Sequence, residues 1–191
     1  MLSFHQYTKT ILLALLMLLL GACKTASPVQ AASGQASSAR HMVALIDARL
    51  AVAPLVAKSK WNSGAAIDDP LREQQILGDI AVRAQWEGLD PALARDFFQS
   101  QFNAGKIVQS RLHAEWRQQQ LGPFERAPDL ASEVRPVLDR LTPELISALK
   151  NLQPHLCDAD VRDVLDRQAS PLNQRWDQAT RDQALAPLRC R

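Results

Sequence analysis

Between Met42 and the C-terminus the chain has no run of alternating apolar and polar residues with the β-branched and aromatic enrichment of strands. That absence excludes a sheet-based fold. Basic runs are missing as well. With 22 Lys and Arg against 20 Asp and Glu, the net charge is +2, so no global field favours nucleic acid, and an anion must be held by a local cluster. Of the four histidines, His5 lies in the N-terminal leader, and His41, His113 and His155 lack metal-ligand spacing. No nucleophile motif, glycine-rich phosphate loop or internal repeat is found, so neither a metal nor a cofactor is expected. Cysteine is sparse, with three residues, and their positions carry information.

Lys9 precedes the apolar stretch from Ile11 to Leu20 and then small residues, the layout of a bacterial export signal and too short to span a bilayer permanently. The junction Leu20-Gly21-Ala22-Cys23 resembles a lipobox. The expectation is a signal over 1–22, with Cys23 lipidated and anchoring the chain to a membrane; a cut after Ala31 is the rival. Either route leads to the periplasm or beyond. Residues 23–39, rich in Ala, Ser and Gln, read as a flexible tether. The folded body is then expected over 40–191. In an oxidising compartment Cys157 and Cys190 are a candidate disulfide, with two free thiols as the alternative.

Apolar residues recur through the body with helical period, so the fold class is all-α. Asp69-Pro70, Asp90-Pro91 and Thr142-Pro143 each place a capping side chain before a proline, which marks three helix starts. The first helix is expected from about Ser38 to Trp61 with a kink at Pro54, the second from Pro70 to Glu87, and the third from Pro91 past Trp116. Residues 40–121 hold these main helices, and a linker over 122–128 closes them off. Shorter helices follow over 128–191: Val134 to Leu152, Asp158 to Gln168 and Leu172 to Leu188.

Arg49 and Lys60 lie three helical turns apart and share a stripe. Asp69, Arg72 and Glu73 cluster across the first turn of the second helix, where capping and local ion pairing are the plain alternative. On the third helix Gln109 shares a stripe with Phe98, Phe102, Leu112 and Trp116, where an unpaired carboxamide costs about 1–3 kcal/mol. Gly105 stands one turn earlier, and a mid-helix glycine costs about 1 kcal/mol relative to alanine. A ligand approaching that stripe explains both; the alternative is tight helix packing at Gly105.

Arg49, Lys60-Trp61-Asn62, Ile67-Asp68-Asp69, Arg72-Glu73 and Gln109 together resemble the helical chorismate mutases, and specifically their exported gamma subclass. Gly88-Leu89-Asp90-Pro91, Phe97-Phe98, Gln101, Pro128-Asp129-Leu130 and Val134-Arg135-Pro136 extend the likeness over nearly the whole body. The resemblance implies a helical bundle with a C-terminal helical extension closed by the cysteine pair, and a homodimeric habit. It implies the rearrangement of chorismate to prephenate without a cofactor. Arg49 and Arg135 would grip the two carboxylates, with Arg72 assisting, and Lys60 and Gln109 would face the ether oxygen. Asp69 and Glu73 match positions near the ring hydroxyl. Arg135 would come from the same chain as the other site residues. Gly105 departs from the family pattern, which usually has Ser or Thr there, and Gln109 stands where some exported members carry glutamate. The rivals are an isochorismate pyruvate lyase-like enzyme and a non-catalytic helical lipoprotein that binds an aromatic acid or a partner.

Overall fold

Aspartate and proline set the helix starts. The Asp69 carboxylate accepts from Arg72 N at 3.2 Å and the Asp90 carboxylate from Ala92 N at 2.8 Å, each ahead of a proline whose missing N–H costs nothing in a first turn. In this computed structural model residues 28–167 and 170–190 are described. They give α1 (Pro28–Leu50), α2 (Ala53–Ser63), α3 (Pro70–Glu87), α4 (Pro91–Gln118), a π-turn at Leu130–Val134, α5 (Arg135–Leu152), α6 (Ala159–Asp166), α7 (Ser170–Arg175) and α8 (Gln178–Leu185). Short 3₁₀ turns lie at Gln153–His155 and Ala186–Leu188, and no strand occurs among the described residues. The body spans Ala32–Arg191. The expected signal over 1–22 and Cys23 lie outside the described residues.

Four expectations need correction. First, residues 28–39 belong to α1 rather than to a tether. Ala36 and Ala39 are buried on the same stripe as Val43, Ile46 and Leu50, so alanines extend the apolar face where composition alone suggested a linker. Second, Pro54 does more than kink a helix. It has no N–H to donate, and the chain breaks at Ala51-Val52, with Val52 N reaching only back to Arg49 O at 3.2 Å. Third, Thr142-Pro143 starts nothing, because Pro143 lies inside α5. The true start is Asp129, whose carboxylate accepts from Ala131 N at 3.0 Å and Ser132 N at 2.8 Å. Fourth, the expected helix from Leu172 to Leu188 is three elements, because Asp177 accepts from Thr180 N at 2.8 Å and so caps a new helix.

The long helix α4 is the axis of the body, with α2, α3 and α8 packed along it. Its Phe97, Phe98, Ala104 and Val108 are buried in a core shared with Met42, Ile46, Leu145 and Leu149. Gly88, at φ 76°, closes α3 in the left-handed conformation that glycine adopts without strain, and this turns the chain directly into α4. At the far end of α2, Trp61 packs edge-on against His113 and Trp116 at 5.3 and 5.5 Å. Asn62 there exchanges two hydrogen bonds with the backbone of Phe124, at 2.7 and 2.8 Å. These contacts fix the end of α2 that carries Lys60. A disulfide joins Cys157 to Cys190 and closes the C-terminal helices into a loop, in agreement with the sequence reading.

Candidate active site

One cavity of about 480 Å³ opens among α1 to α5, and all eight residues singled out in the sequence line it: Arg49, Lys60, Asp69, Arg72, Glu73, Gly105, Gln109 and Arg135. Arg49 and Lys60 reach it from different helices, since the chain breaks between them. Arg135 enters from the first residue of α5, which Asp129 and the π-turn aim at the cavity. Arg135 thus lines the cavity from the same chain as Arg49 and Lys60.

The charged groups sit in unequal settings. Arg49 Cζ lies 5.3 Å from the ring centroid of Phe102 and 5.9 Å from that of Phe98, and its buried Nε has no hydrogen-bond partner among the described residues. Burial lowers its pKa to about 10, because removing water penalises the charged form. Such a guanidinium is poised for an anion, which would restore the lost solvation through charge-assisted hydrogen bonds. Arg72 and Arg135 are exposed at the rim. None of these three arginines lies within ion-pair distance of a carboxylate among the described residues.

Lys60 is half-buried and donates to Ile67 O at 2.7 Å. Burial holds its pKa below the usual lysine value, against the pull of Asp69, Glu73 and Asp68. Gln109 is 7% exposed, its amide donating to Gly105 O at 3.2 Å while its Oε1 lacks a partner. One N–H of that amide therefore remains for a ligand. Tight packing does not explain Gly105. A Cβ built there would meet Gln109 Nε2 at 3.9 Å and Ala53 Cβ at 4.0 Å, which are ordinary contacts.

Sequence reasoning missed Lys106, whose ammonium lies 2.9 Å from both Asp68 and Glu73. It follows Gly105 in the chain, and its position next to the Gly105 stripe was the available signal. Gln101 also lines the cavity and is anchored from behind by α8, its amide donating to Ala184 O at 2.8 Å. Asp79, Arg83 and Asp139 complete the charged lining. They come from the outer turns of α3 and α5, where a sequence shows only ordinary surface charge.

The family model for chorismate mutase type II matches residues 39–110, the segment that carries seven of the eight residues. A secreted chorismate mutase from Mycolicibacterium smegmatis is 36% identical over 135 residues, covering 69% of this chain and 74% of that protein. The chain belongs to the chorismate mutase family. Among solved chorismate mutases, the crystal structure from Burkholderia thailandensis superposes with a TM-score of 0.69 at 41% identity, covering 80% of this chain and 99% of that one. The secreted chorismate mutase from Yersinia pestis, at 20% identity and a TM-score of 0.60, shares the fold over 77% of this chain and 94% of its own. Chorismate mutase membership and the all-helical architecture agree with the sequence reading. The geometry of the cavity now bears on how members of this family work.

Proposed function

We propose that the cavity binds chorismate and that Arg49, Lys60, Asp69, Arg72, Glu73, Gly105, Gln109 and Arg135 form its site. The chain is a chorismate mutase, which rearranges chorismate to prephenate. The observation that carries the site assignment is the convergence of three arginines, none within ion-pair distance of a carboxylate among the described residues, on a cavity that also holds the half-buried Lys60. Unpaired cations facing one space call for an anion, and the substrate is a dianion. Arg49 and Arg135 take the two carboxylates in this reading, and Arg72 assists.

The rearrangement is unimolecular and needs no nucleophile, metal or redox group. Catalysis reduces to holding the folded conformer and stabilising charge that develops as the ether bond breaks. Lys60 and the free N–H of Gln109 serve that second role, since donors fixed by the protein act more strongly on the transition state than on the substrate. Asp69 and Glu73 lie toward the ring hydroxyl, and Gly105 leaves its side of the pocket open. The catalytic body is Ala32–Arg191, with the main helices running to residue 121 and Arg135 supplied by 128–191.

Relatives named as secreted support export for this chain, and the leader over 1–22 supplies the route. Lipidation of Cys23 would anchor it, and the working assembly would be a homodimer. The deciding experiment incubates the purified mature protein with chorismate, follows the loss of its absorbance and identifies the product. Prephenate supports the reading. Pyruvate release would point instead to isochorismate pyruvate lyase-like chemistry, and a thermal shift without turnover to a binding protein.

A further inference from the structure

Two acidic residues of the cavity, Asp69 and Glu73, and the neighbouring Asp68 compete for its cations. Asp68, Asp69 and Glu73 stand within one helical turn of Arg72, and all three act on the Lys60 ammonium. Asp68, in the loop just before α3, and Arg72, in its first turn, carry opposite charges close together in the chain and could pair. Lys60 and Glu73, both withdrawn from water, would attract each other more strongly still. Yet Arg72 has no ion pair among the described residues, and Lys60 donates a hydrogen bond to a backbone carbonyl at 2.7 Å.

Lys106 accounts for this. Its ammonium lies 2.9 Å from Asp68 and 2.9 Å from Glu73, and Gln99 adds a weaker bond to Glu73 at 3.4 Å. Asp69 is engaged in capping α3. Each of the three acids is thereby occupied by something other than the side chains of Lys60 and Arg72. The bridge also links the loop before α3, the first turn of α3 and the middle of α4, so it spans one wall of the cavity. Its burial is asymmetric, with the side chain of Glu73 17% exposed and that of Asp68 73%. The inner half of the bridge is therefore the half less screened by solvent.

We infer that Lys106 is a positioning residue of the mutase, a resident counter-ion that holds Asp68 and Glu73 so that Lys60 and Arg72 stay free for the anionic substrate. The inference rests on the chorismate reading of the cavity. Six basic side chains line that cavity, namely Arg49, Lys60, Arg72, Arg83, Lys106 and Arg135, against the acidic Asp69, Glu73, Asp79 and Asp139. The lining thus carries more cations than carboxylates, which suits a substrate with two carboxylates. Loss of Lys106 removes one of these cations and also releases two carboxylates toward the groups meant for the ligand. Both effects fall first on binding, so KM should respond more than kcat.

The test is steady-state kinetics with chorismate on the full mature chain. Lys106→Met keeps the aliphatic stem and should raise KM about tenfold, from the loss of one nearby charge at an effective dielectric intermediate between water and protein interior, while kcat falls only a few-fold. Lys106→Arg should restore KM to within about threefold of the parent, because it keeps the charge. Adding Asp68→Asn to Lys106→Met should recover part of the lost affinity, an effect that a purely structural role for Lys106 would not produce. A KM within twofold of the parent for Lys106→Met, or equal damage from Met and Arg, would overturn the proposal. If Lys106→Met and Lys106→Gln both fail to fold, Lys106 belongs to the scaffold and the proposal falls as well. A parent protein that leaves chorismate unchanged would instead refute the reading of the site.

Discussion

Arg49 on the inner wall of the cavity and Arg135 at its rim are the same residue type in opposite settings. Arg49 lies over two phenylalanine rings with a buried Nε that has no partner among the described residues, whereas Arg135 is exposed at the start of α5. The cost of desolvating Arg49 has already been met in the folded state, so an anion that reaches it gains nearly the full charge-assisted interaction. At Arg135 the incoming carboxylate must still displace water, and the surrounding salt screens the pair. In the proposed site the inner wall would therefore supply strength, and the rim capture.

The sharpest way to break this comparison is to remove the two arginines in turn. Arg49→Ala should lower kcat/KM by about 10²- to 10³-fold, the range expected when a charged partner is lost from a dry site. Steady-state rates with chorismate measure it, and circular dichroism checks that the helices survive. Gln109→Glu tests the inner wall in another way. At neutral pH a carboxylate beside the Gly105 carbonyl would repel charge growing on the ether oxygen, so the rate should fall about 10²-fold and recover toward acid as the glutamate protonates. The parent, whose amide does not titrate, should stay flat through neutral pH. Parallel profiles from about pH 4 to 9 would remove Gln109 from the ether oxygen.

Arg135→Ala should cost less, about tenfold in kcat/KM, and its penalty should shrink as salt is raised. An equal loss for the two arginines, independent of salt, would erase the distinction between wall and rim. On the alkaline side the cationic forms are the active ones, and burial lowers the pKa of both Lys60 and Arg49, that of Arg49 to about 10. Activity is lost as pH rises through these values, so kcat/KM should decline as pH approaches that range. The kcat limb should lie higher, because a bound dianion favours the protonated cations.

The smallest effect on turnover is expected far from the cavity. Replacing Cys157 and Cys190 with serine opens a loop whose closure, at a sequence separation of 33, contributes roughly 3–4 kcal/mol. The melting midpoint should drop on the order of 10 °C, with kcat/KM little changed well below it. If turnover fell in step with the midpoint, the brace from Ala184 to Gln101 behind the cavity would be part of the working site.

Local chemistry made much of this legible in the sequence. Asp69-Pro70 and Asp90-Pro91 announce helix starts because a cap and a fixed φ are properties of adjacent residues, and the Gln109 stripe follows from a 3.6-residue period. Thr142-Pro143 carries the same local mark and misleads, since packing of Leu145, Ile146 and Leu149 holds α5 continuous through the proline. The alanines of α1 look like a tether in the sequence because a methyl group declares no side of a helix until a neighbour covers it.

By itself the sequence determined the helical class and the residue types that the proposed anion-binding cavity requires, because each depends on composition, period or adjacent pairs. The tertiary structure alone decided which cations stay unpaired. Arg49 is isolated by Phe98 and Phe102, and Lys106 reaches from α4 to acids more than thirty residues earlier in the chain. Charge pairing depends on distances in space and on lost solvation, and neither quantity can be read along a chain before it folds.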